Sequence, residues 1–482
     1  MTSEFIDELE RRIGSEAVVR DQGELLTYES DGLVSHRSRP GVAVLPQTVE
    51  QVQAVVRACH EADVPFVARG QGTGLSGGAL PHPEGVLIVM TRMNRVVEID
   101  IPNERVTVEP GVMNLEVTRQ VAPHGYYYAP DPSSQVICSI GGNLAENSGG
   151  AHCLKYGFTV HHVLGAEAVL PDGTLVHVGG AAVDTPGLDL LGVLVGSEGT
   201  LAVVTKVTLR LLRRPESVRT LLAAFDSTDD AGNAVSDVIS AGIIPAAIEM
   251  MDRTTIRAAE AAVQPGFPDA EAVLIVELDG HQAEVAAQFE QIEAISAKNQ
   301  GWGVQVARDD AQRGRIWMGR KAAFAAMGRV SPSYYVQDGV IPRSRLPEVL
   351  RRIRKLEQDS GLTIGNVFHA GDGNLHPLVC YDDAVDGQAE LAEQVASEIL
   401  SYCLDVGGSL TGEHGIGADK ACHMPKMFTD DDLATMQRVR VAFDPKGLCN
   451  PDKLFPTPRL CGEVPGPYRA HPAEAAGLAE RV

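Results

Sequence analysis

The stretch Arg69-Gly-Gln-Gly-Thr-Gly-Leu-Ser-Gly-Gly78 decides the fold. It contains Gly72-x-Gly74-x-x-Gly77, the glycine spacing of a dinucleotide-binding turn. Its surroundings reject that reading. A Rossmann loop opens a long helix, and an acidic residue follows about 20 residues on. Here Pro81 and Pro83 interrupt any helix at once, and the downstream region holds Arg92 and Arg95 instead of an acid. The loop keeps a physical use. Five glycines and two hydroxyl residues, Thr73 and Ser76, let backbone N–H groups converge on an anion without Cβ obstruction, and Arg69 adds a positive charge. A pyrophosphate is the natural occupant. The competing reading is a glycine-rich turn with no ligand.

Working outward, Val42–Leu45 reads as a strand, and Thr48 opens a helix with Gln51 completing a capping box. Val49, Val52, Val55, Val56, Cys59 and Ala62 form its apolar stripe. Pro65–Ala68 is the strand that feeds the loop. Further strands are expected at Val86–Met90, Val96–Ile99, Val106–Val108, Val163–Leu170 and Leu201–Leu211. Many short strands and few helices predict an α+β domain with mixed sheets. Two more glycine-rich segments lie within it. One is Asp131-Pro-Ser-Ser134 with Ser139-Ile-Gly-Gly-Asn-Leu-Ala-Glu-Asn-Ser-Gly-Gly150; the other is Gly196-Ser-Glu-Gly-Thr200. Such spacing suggests one long ligand wrapped by backbone, and FAD has that length.

After about residue 215 the pattern changes. Helical stretches Asp230–Ala241 and Ala283–Lys298 alternate with strands Ala272–Leu278 and Gly303–Val306, and residues 389–406 and 429–443 read as helices. The expected organisation is a first domain over 1–215, opened by an amphipathic helix carrying Phe5, Ile6, Leu9 and Ile13. A second, α/β domain follows over 216–430, then a C-terminal segment over 431–463 and a loose tail over 464–482.

The net charge of −23 argues against nucleic-acid binding as a bulk property and against broad attachment to anionic membranes. No apolar run is long enough to span a bilayer, so a cytoplasmic location is the default expectation. The eight cysteines form no C-x-x-C pair and no ferredoxin-like spacing, and are expected to be buried thiols.

A second signal is Phe368-His-Ala-Gly-Asp-Gly-Asn-Leu-His-Pro377, with Gly412-Glu-His-Gly415 following. His369 and His376 lie seven apart, and Glu413 comes thirty-seven residues after His376. Two imidazoles and a carboxylate are ordinary ligands for a divalent transition metal. The bland alternative is two hydrogen-bonded core histidines and an unrelated turn. His152, His161 and His162 lack a carboxylate in the same grouping and are expected to play ordinary polar roles.

Taken together, PxTVEQVQAVVR from Pro46, ARGQGTGLSGGA from Ala68, PDPSS from Pro130, SIGGNLAENSGG from Ser139 and GSEGTLAVVTKV from Gly196 resemble the FAD-binding domain of the vanillyl-alcohol-oxidase-type flavoproteins. Within them the chain looks most like the family of flavin-carrying glycolate oxidase subunits and FAD-linked D-lactate dehydrogenases, from about residue 15 to about residue 463. The resemblance implies a FAD-binding domain, a substrate (cap) domain with a metal site, and a C-terminal helical segment returning to the flavin. It implies non-covalent FAD, with Arg69, Gly70, Gln71, Gly72, Thr73, Gly74, Leu75 and Ser76 around the pyrophosphate. Asp131, Ser134, Gly141, Gly142, Asn147, Ser148, Gly150, Gly199 and Thr205 would line the rest, and Asn450 would meet the isoalloxazine edge.

The same resemblance makes His369, His376 and Glu413 ligands of a divalent metal, zinc or manganese, and His414 the general base. Arg320, in Trp317-Met-Gly-Arg-Lys321, would hold the substrate carboxylate. The implied reaction takes a proton from the hydroxyl of a D-2-hydroxy acid and passes the Cα hydrogen to flavin N5 as hydride. Phe324, Val336 and Leu378 are apolar where 2-hydroxyglutarate enzymes place further polar residues, which favours glycolate or D-lactate. The implied partners are an iron–sulfur subunit and a second flavin-type subunit, through which any membrane association would arise. The alternatives are a D-2-hydroxyglutarate dehydrogenase, a metal-dependent hydrolase that binds no flavin, and a non-catalytic flavin subunit. The presence of both Glu413 and His414 speaks against the last.

Overall fold

The computed structural model describes residues 1–182 and 187–456. The opening helix spans Ser3–Ile13, capped by the Thr2 hydroxyl, and buries Leu9 and Ile13. A longer helix runs Val49–Glu61, after the short turn of helix Gln22–Leu25. Thr48 accepts the Gln51 N–H as expected, but the Gln51 side chain reaches back to the Gln47 N–H at 2.7 Å, one residue before the cap. Val52, Val55 and Val56 pack in one core with Val42 and Val44 of one sheet and Val169 and Val203 of another. Each such valine contributes on the order of 1.5–3 kcal/mol by leaving water, so this helix holds the two sheets together.

The first sheet has the order Val18–Val19, Val42–Val44, Val86–Val89, Phe66–Arg69. Its first pair is antiparallel and the other two are parallel. The second sheet, Val96–Asp100, Arg105–Val108, Val203–Arg210, Val163–Val169, Leu175–Gly179, is antiparallel throughout. The mixed-sheet α+β domain read from the sequence is present.

The second domain is built on seven strands. Their order is Trp302–Val306, Ser217–Phe225, Ala272–Gly280, Ala247–Asp252, Ile364–His369, Pro377–Tyr381, Ser333–Val336. Every pair is antiparallel. Alternation along the strands feeds two cores. Leu221, Ala223 and Phe225 face helices Thr228–Ser240, Gln282–Lys298, Leu346–Ser360 and Gln388–Asp405, while Leu222 and Ala224 face Arg253–Val263 and Asp310–Ala326.

Helix Asp430–Phe443 opens with a reciprocal Thr429–Asp432 capping box. The chain then returns to the first sheet: Phe66 donates to the Leu448 carbonyl at 2.9 Å, and Asn450 donates to Phe66 at 2.8 Å. The expected tail over 464–482 lies outside the described residues, as does 457–463. Cys59, Cys138, Cys153, Cys380, Cys403 and Cys449 are buried thiols as expected, but Cys422 is disulfide-bonded. Among the described residues no helix is long and apolar enough to cross a membrane.

Candidate active site

Strand Phe66–Arg69 delivers the chain into the glycine loop. Gly72 and Gly77 have φ of +70° and +75°, which L side chains resist. A Cβ at Gly72 would also run into the Arg69 guanidinium, which lies beneath the loop and is 8% exposed. Among the described residues the Arg69 side chain makes one hydrogen bond, a long one of 3.5 Å to the Tyr28 carbonyl. An under-paired buried guanidinium below a glycine cradle fits a phosphate-bearing ligand.

A cavity of about 580 Å³ opens against this loop. Gly70, Gln71, Gly72, Thr73, Gly74 and Leu75 line one side, Ser134, Gly142 and Ser148 another, and Lys321, Phe324, Val336, Glu413 and His414 come from the second domain. A smaller recess of about 70 Å³ includes Arg69, Gly141 and Gly199 and shares Gly70, Ser139, Gly142 and Glu146 with the first. Together they form an elongated space from the glycine loops to His414.

The remaining residues singled out in the sequence hold the loops in place. The Ser76 carbonyl accepts the Ala418 and Asp419 N–H groups. Asp131 binds the His152 ring at 2.8 Å, and a Cβ at Gly150 would strike the Asp131 carbonyl. Asn147, at φ 51°, ends helix Ile140–Glu146 and accepts the Val160 N–H. Thr205 is fully buried and donates to Glu167. The Asn450 side chain ties the glycine loop to the third glycine segment, donating to the Gly78 and Glu198 carbonyls at 2.9 and 2.6 Å. Leu378 packs in the second-domain core, whereas Phe324 and Val336 line the cavity.

At the second-domain end, strand Ile364–His369 and the following turn bring the histidines together. His369 Nε2 and His376 Nε2 each lie 3.2 Å from Glu413 Oε1, and His414 Nε2 lies 3.8 Å away. His369, His376 and Glu413 form a set able to hold a cation; Asp338, His376 and His414 form a second, overlapping set. Neither His376 ring nitrogen makes a well-formed hydrogen bond, which fits a group kept for ligation. Burial alone would raise the Glu413 pKa, but His369 and His376 bring it well below the usual range. Burial opposes charge on His369 as well, yet the Glu249 and Glu413 carboxylates raise it well above its ordinary value. For His414 burial prevails and pushes the pKa down to about 4, against the Asp338 charge. Its ring stacks on His376 at 4.9 Å between centroids.

Arg320 is not free. Its Nε and one terminal nitrogen lie 2.7 and 2.6 Å from Glu249 Oε2, while Glu249 Oε1 takes His369 Nδ1 at 2.8 Å. This fixes the His369 ring so that Nε2 faces Glu413. Sequence reasoning missed Glu249, although a carboxylate inside the apolar strand Ala247–Asp252 is a signal, because a buried charge must be paired. It also missed Asp338, which nothing local distinguishes from any acid after a strand. His162 has the polar role expected, contacting the Tyr156 carbonyl, whereas His152 lies between the Asp131 and Glu277 carboxylates, partners distant in the chain that its sequence grouping did not show.

Residues 40–179 match a family model described as an FAD binding domain, and residues 214–454 match the C-terminal domain of FAD linked oxidases. The chain is 50% identical to glycolate oxidase subunit GlcD of Escherichia coli (strain K12), over 92% of this chain and 90% of that protein. The same subunit of Bacillus subtilis (strain 168) is 38% identical, over 89% and 92%. A D-lactate dehydrogenase of Archaeoglobus fulgidus is 32% identical, over 88% and 94%. The solved 4-ethylphenol oxidase from Gulosibacter chungangensis superposes with a TM-score of 0.77 at 19% identity, over 94% of this chain and 97% of that one, which shows the fold alone. Two matched models that take in both domains, and relatives this similar along nearly the whole chain, lead to one assignment: the chain belongs to the FAD-linked oxidases, the flavoprotein family that holds these glycolate oxidase subunits and D-lactate dehydrogenases.

Proposed function

We propose that this chain oxidises a small D-2-hydroxy acid, glycolate or D-lactate, to the 2-oxo acid. The observation that carries the reading is the convergence of His369 and His376 on Glu413, which with His414 lines one end of a cavity whose other wall is the glycine loop. FAD, when bound along the loops, supplies the two-electron acceptor. A zinc or manganese ion held by His369, His376 and Glu413 would supply Lewis-acid polarisation of the substrate hydroxyl.

The chain's own residues do the rest. His414, neutral at pH 7 because burial depresses its pKa, accepts the hydroxyl proton at Nε2, the nitrogen nearer Glu413. Nδ1 then faces Asp338 at 4.0 Å, so the imidazolium meets a carboxylate. Arg320 orients the substrate carboxylate. The Glu249 pair uses one edge of its guanidinium fork, and Arg320, 2% exposed, lies behind its helix neighbours Lys321 and Phe324, which line the cavity. Phe324 and Val336 exclude water and suit a short apolar substituent. Electrons leave to separate iron–sulfur and flavin-type subunits, a reading supported by the subunit status of the glycolate oxidase relatives.

The test is a substrate panel on purified holoprotein with an artificial dye as acceptor. Glycolate or D-lactate should bleach the flavin and drive dye reduction, with slow turnover on oxygen alone. Glu413→Gln should lose divalent metal and activity together while the flavin spectrum stays. Failure of every D-2-hydroxy acid to reduce the flavin overturns the reading; full activity in metal-free protein removes the metal from it.

A further inference from the structure

The loop that carries Glu413 and His414 has no regular secondary structure, yet each of its N–H groups from Gly412 to Gly417 is received by a side-chain oxygen. Asp338 Oδ2 accepts from Gly412, Glu413 and His414 at 3.1, 3.2 and 2.8 Å, and also from the Thr411 hydroxyl. The same hydroxyl accepts the Gly415 N–H at 3.0 Å. Glu198 then takes Ile416 on one oxygen at 2.7 Å and Gly417 on the other at 2.6 Å. Both carboxylates are buried, at 0% and 4% exposure. They come from different domains: Asp338 follows strand Ser333–Val336, and Glu198 sits in the glycine-rich segment Gly196–Thr200, whose Gly199 borders the flavin-side recess.

Asp338 also belongs to one of the two candidate cation sets. A ligand oxygen needs a free lone pair. Oδ2 already receives several donors, with Lys420 Nζ at 3.5 Å besides. Oδ2 is therefore occupied as an acceptor of the loop, and only Oδ1, 3.4 Å from His376 Nε2, is left to a cation.

We infer that Asp338 and Glu198 are a pair of positioning residues that clamp the Thr411–Gly417 loop between the two domains, setting His414 and Glu413 in register with the flavin-side loop. The inference rests on the proposed role of His414 as base. The clamp needs carboxylates. Glu198 receives Ile416 and Gly417 on separate oxygens, so an amide of the same shape would turn N–H against N–H there, whereas Asp338 gathers four donors on Oδ2, which a charged carboxylate holds more strongly than a neutral amide oxygen. A displacement of about 1 Å at a reacting group costs about 10²-fold in rate.

The test uses Asp338→Asn and Glu198→Gln in the holoenzyme, with Thr411→Val as a milder variant that leaves both carboxylates in place. Hydrogen exchange should show the amides of residues 412–417 losing protection in the first two. Stopped-flow flavin reduction by glycolate or D-lactate should fall by about 10²-fold in these variants and about tenfold in Thr411→Val, with FAD content unchanged. In a His414→Ala background, Asp338→Asn should cost far less than in the wild type, because its effect passes through His414. A purely structural role would cost the same in both backgrounds and would overturn the inference. So would wild-type reduction rates in Asp338→Asn and Glu198→Gln beside a slow His414→Ala. If His414→Ala itself reduces at the wild-type rate, the base assignment fails instead. Should Asp338→Asn fail to fold, Thr411→Val decides: unchanged kinetics sink the clamp.

Discussion

At the scale of single residues, His414 carries the sharpest consequences. His414→Ala should slow flavin reduction by about 10²–10⁴-fold with FAD retained, the usual worth of a general base. Its folded pKa of about 4 lies below the unfolded value of about 6.5. The proposed base stays neutral, and the reduction rate should be flat, from pH 8 down to about 5. An acid limb near pH 6.5 in stopped-flow traces would show that the ring titrates as if in water. The sign for stability agrees. A lowered histidine pKa contributes stability that is present above about pH 6.5 and is lost as pH falls towards 4, because the unfolded chain takes up the proton first. Glu249 acts at the same scale: by taking His369 Nδ1 it decides which ring nitrogen is offered to Glu413.

Among elements, the glycine loop has a backbone form that fits the proposed cofactor-holding role. Gly72 combines a left-handed φ of +70° with no room for a Cβ above Arg69. Gly72→Ala is therefore strained twice, and the loop or the guanidinium must move. The expected result is a fall of roughly tenfold or more in bound FAD after gel filtration, read from the ratio of flavin to protein absorbance, with the far-ultraviolet spectrum kept. Full FAD occupancy in this variant would detach the loop from cofactor binding. Helix Val49–Glu61 makes a different point. Its apolar stripe and Thr48 cap were readable because both arise from residues three and four apart. The side chain of Gln51 was misplaced by one residue because its choice between the Gln47 and Thr48 N–H groups depends on how the chain enters the helix.

Across the whole molecule, the two domains meet through a polar network as well as through the cavity. His152 binds Asp131 in its own domain at 2.8 Å and Glu277 in the other at 3.3 Å, and its ring stacks on Trp317. Glu277 also accepts from Arg313, Trp317 and Thr220. Burial alone would lower the His152 pKa, but the Asp131 and Glu277 carboxylates outweigh it and raise it to about 10. A raised histidine pKa contributes stability that is fully present below about pH 6.5 and is lost as pH rises through 10. The melting temperature should therefore decline between pH 7 and 10, and His152→Gln should flatten that decline while lowering stability at pH 7. An identical pH dependence in the variant would mean that this imidazole is not the titrating link.

Much of the molecule was written in short-range pattern. The glycine loops, the valine stripe, the strand alternation and the spacing of His369 and His376 are each set by residues close in the chain, where propensity and periodicity act. From these came the FAD-binding fold, the second domain and the histidine cluster. The sequence alone could not say which acid meets which donor. Arg320 finds Glu249 seventy-one residues away, and the base loop finds Glu198 at a separation of 218. Those meetings depend on strand order in the seven-stranded sheet and on how two domains close over one cavity. A buried carboxylate gains its role from the donors that folding places around it, and only the tertiary structure supplies them.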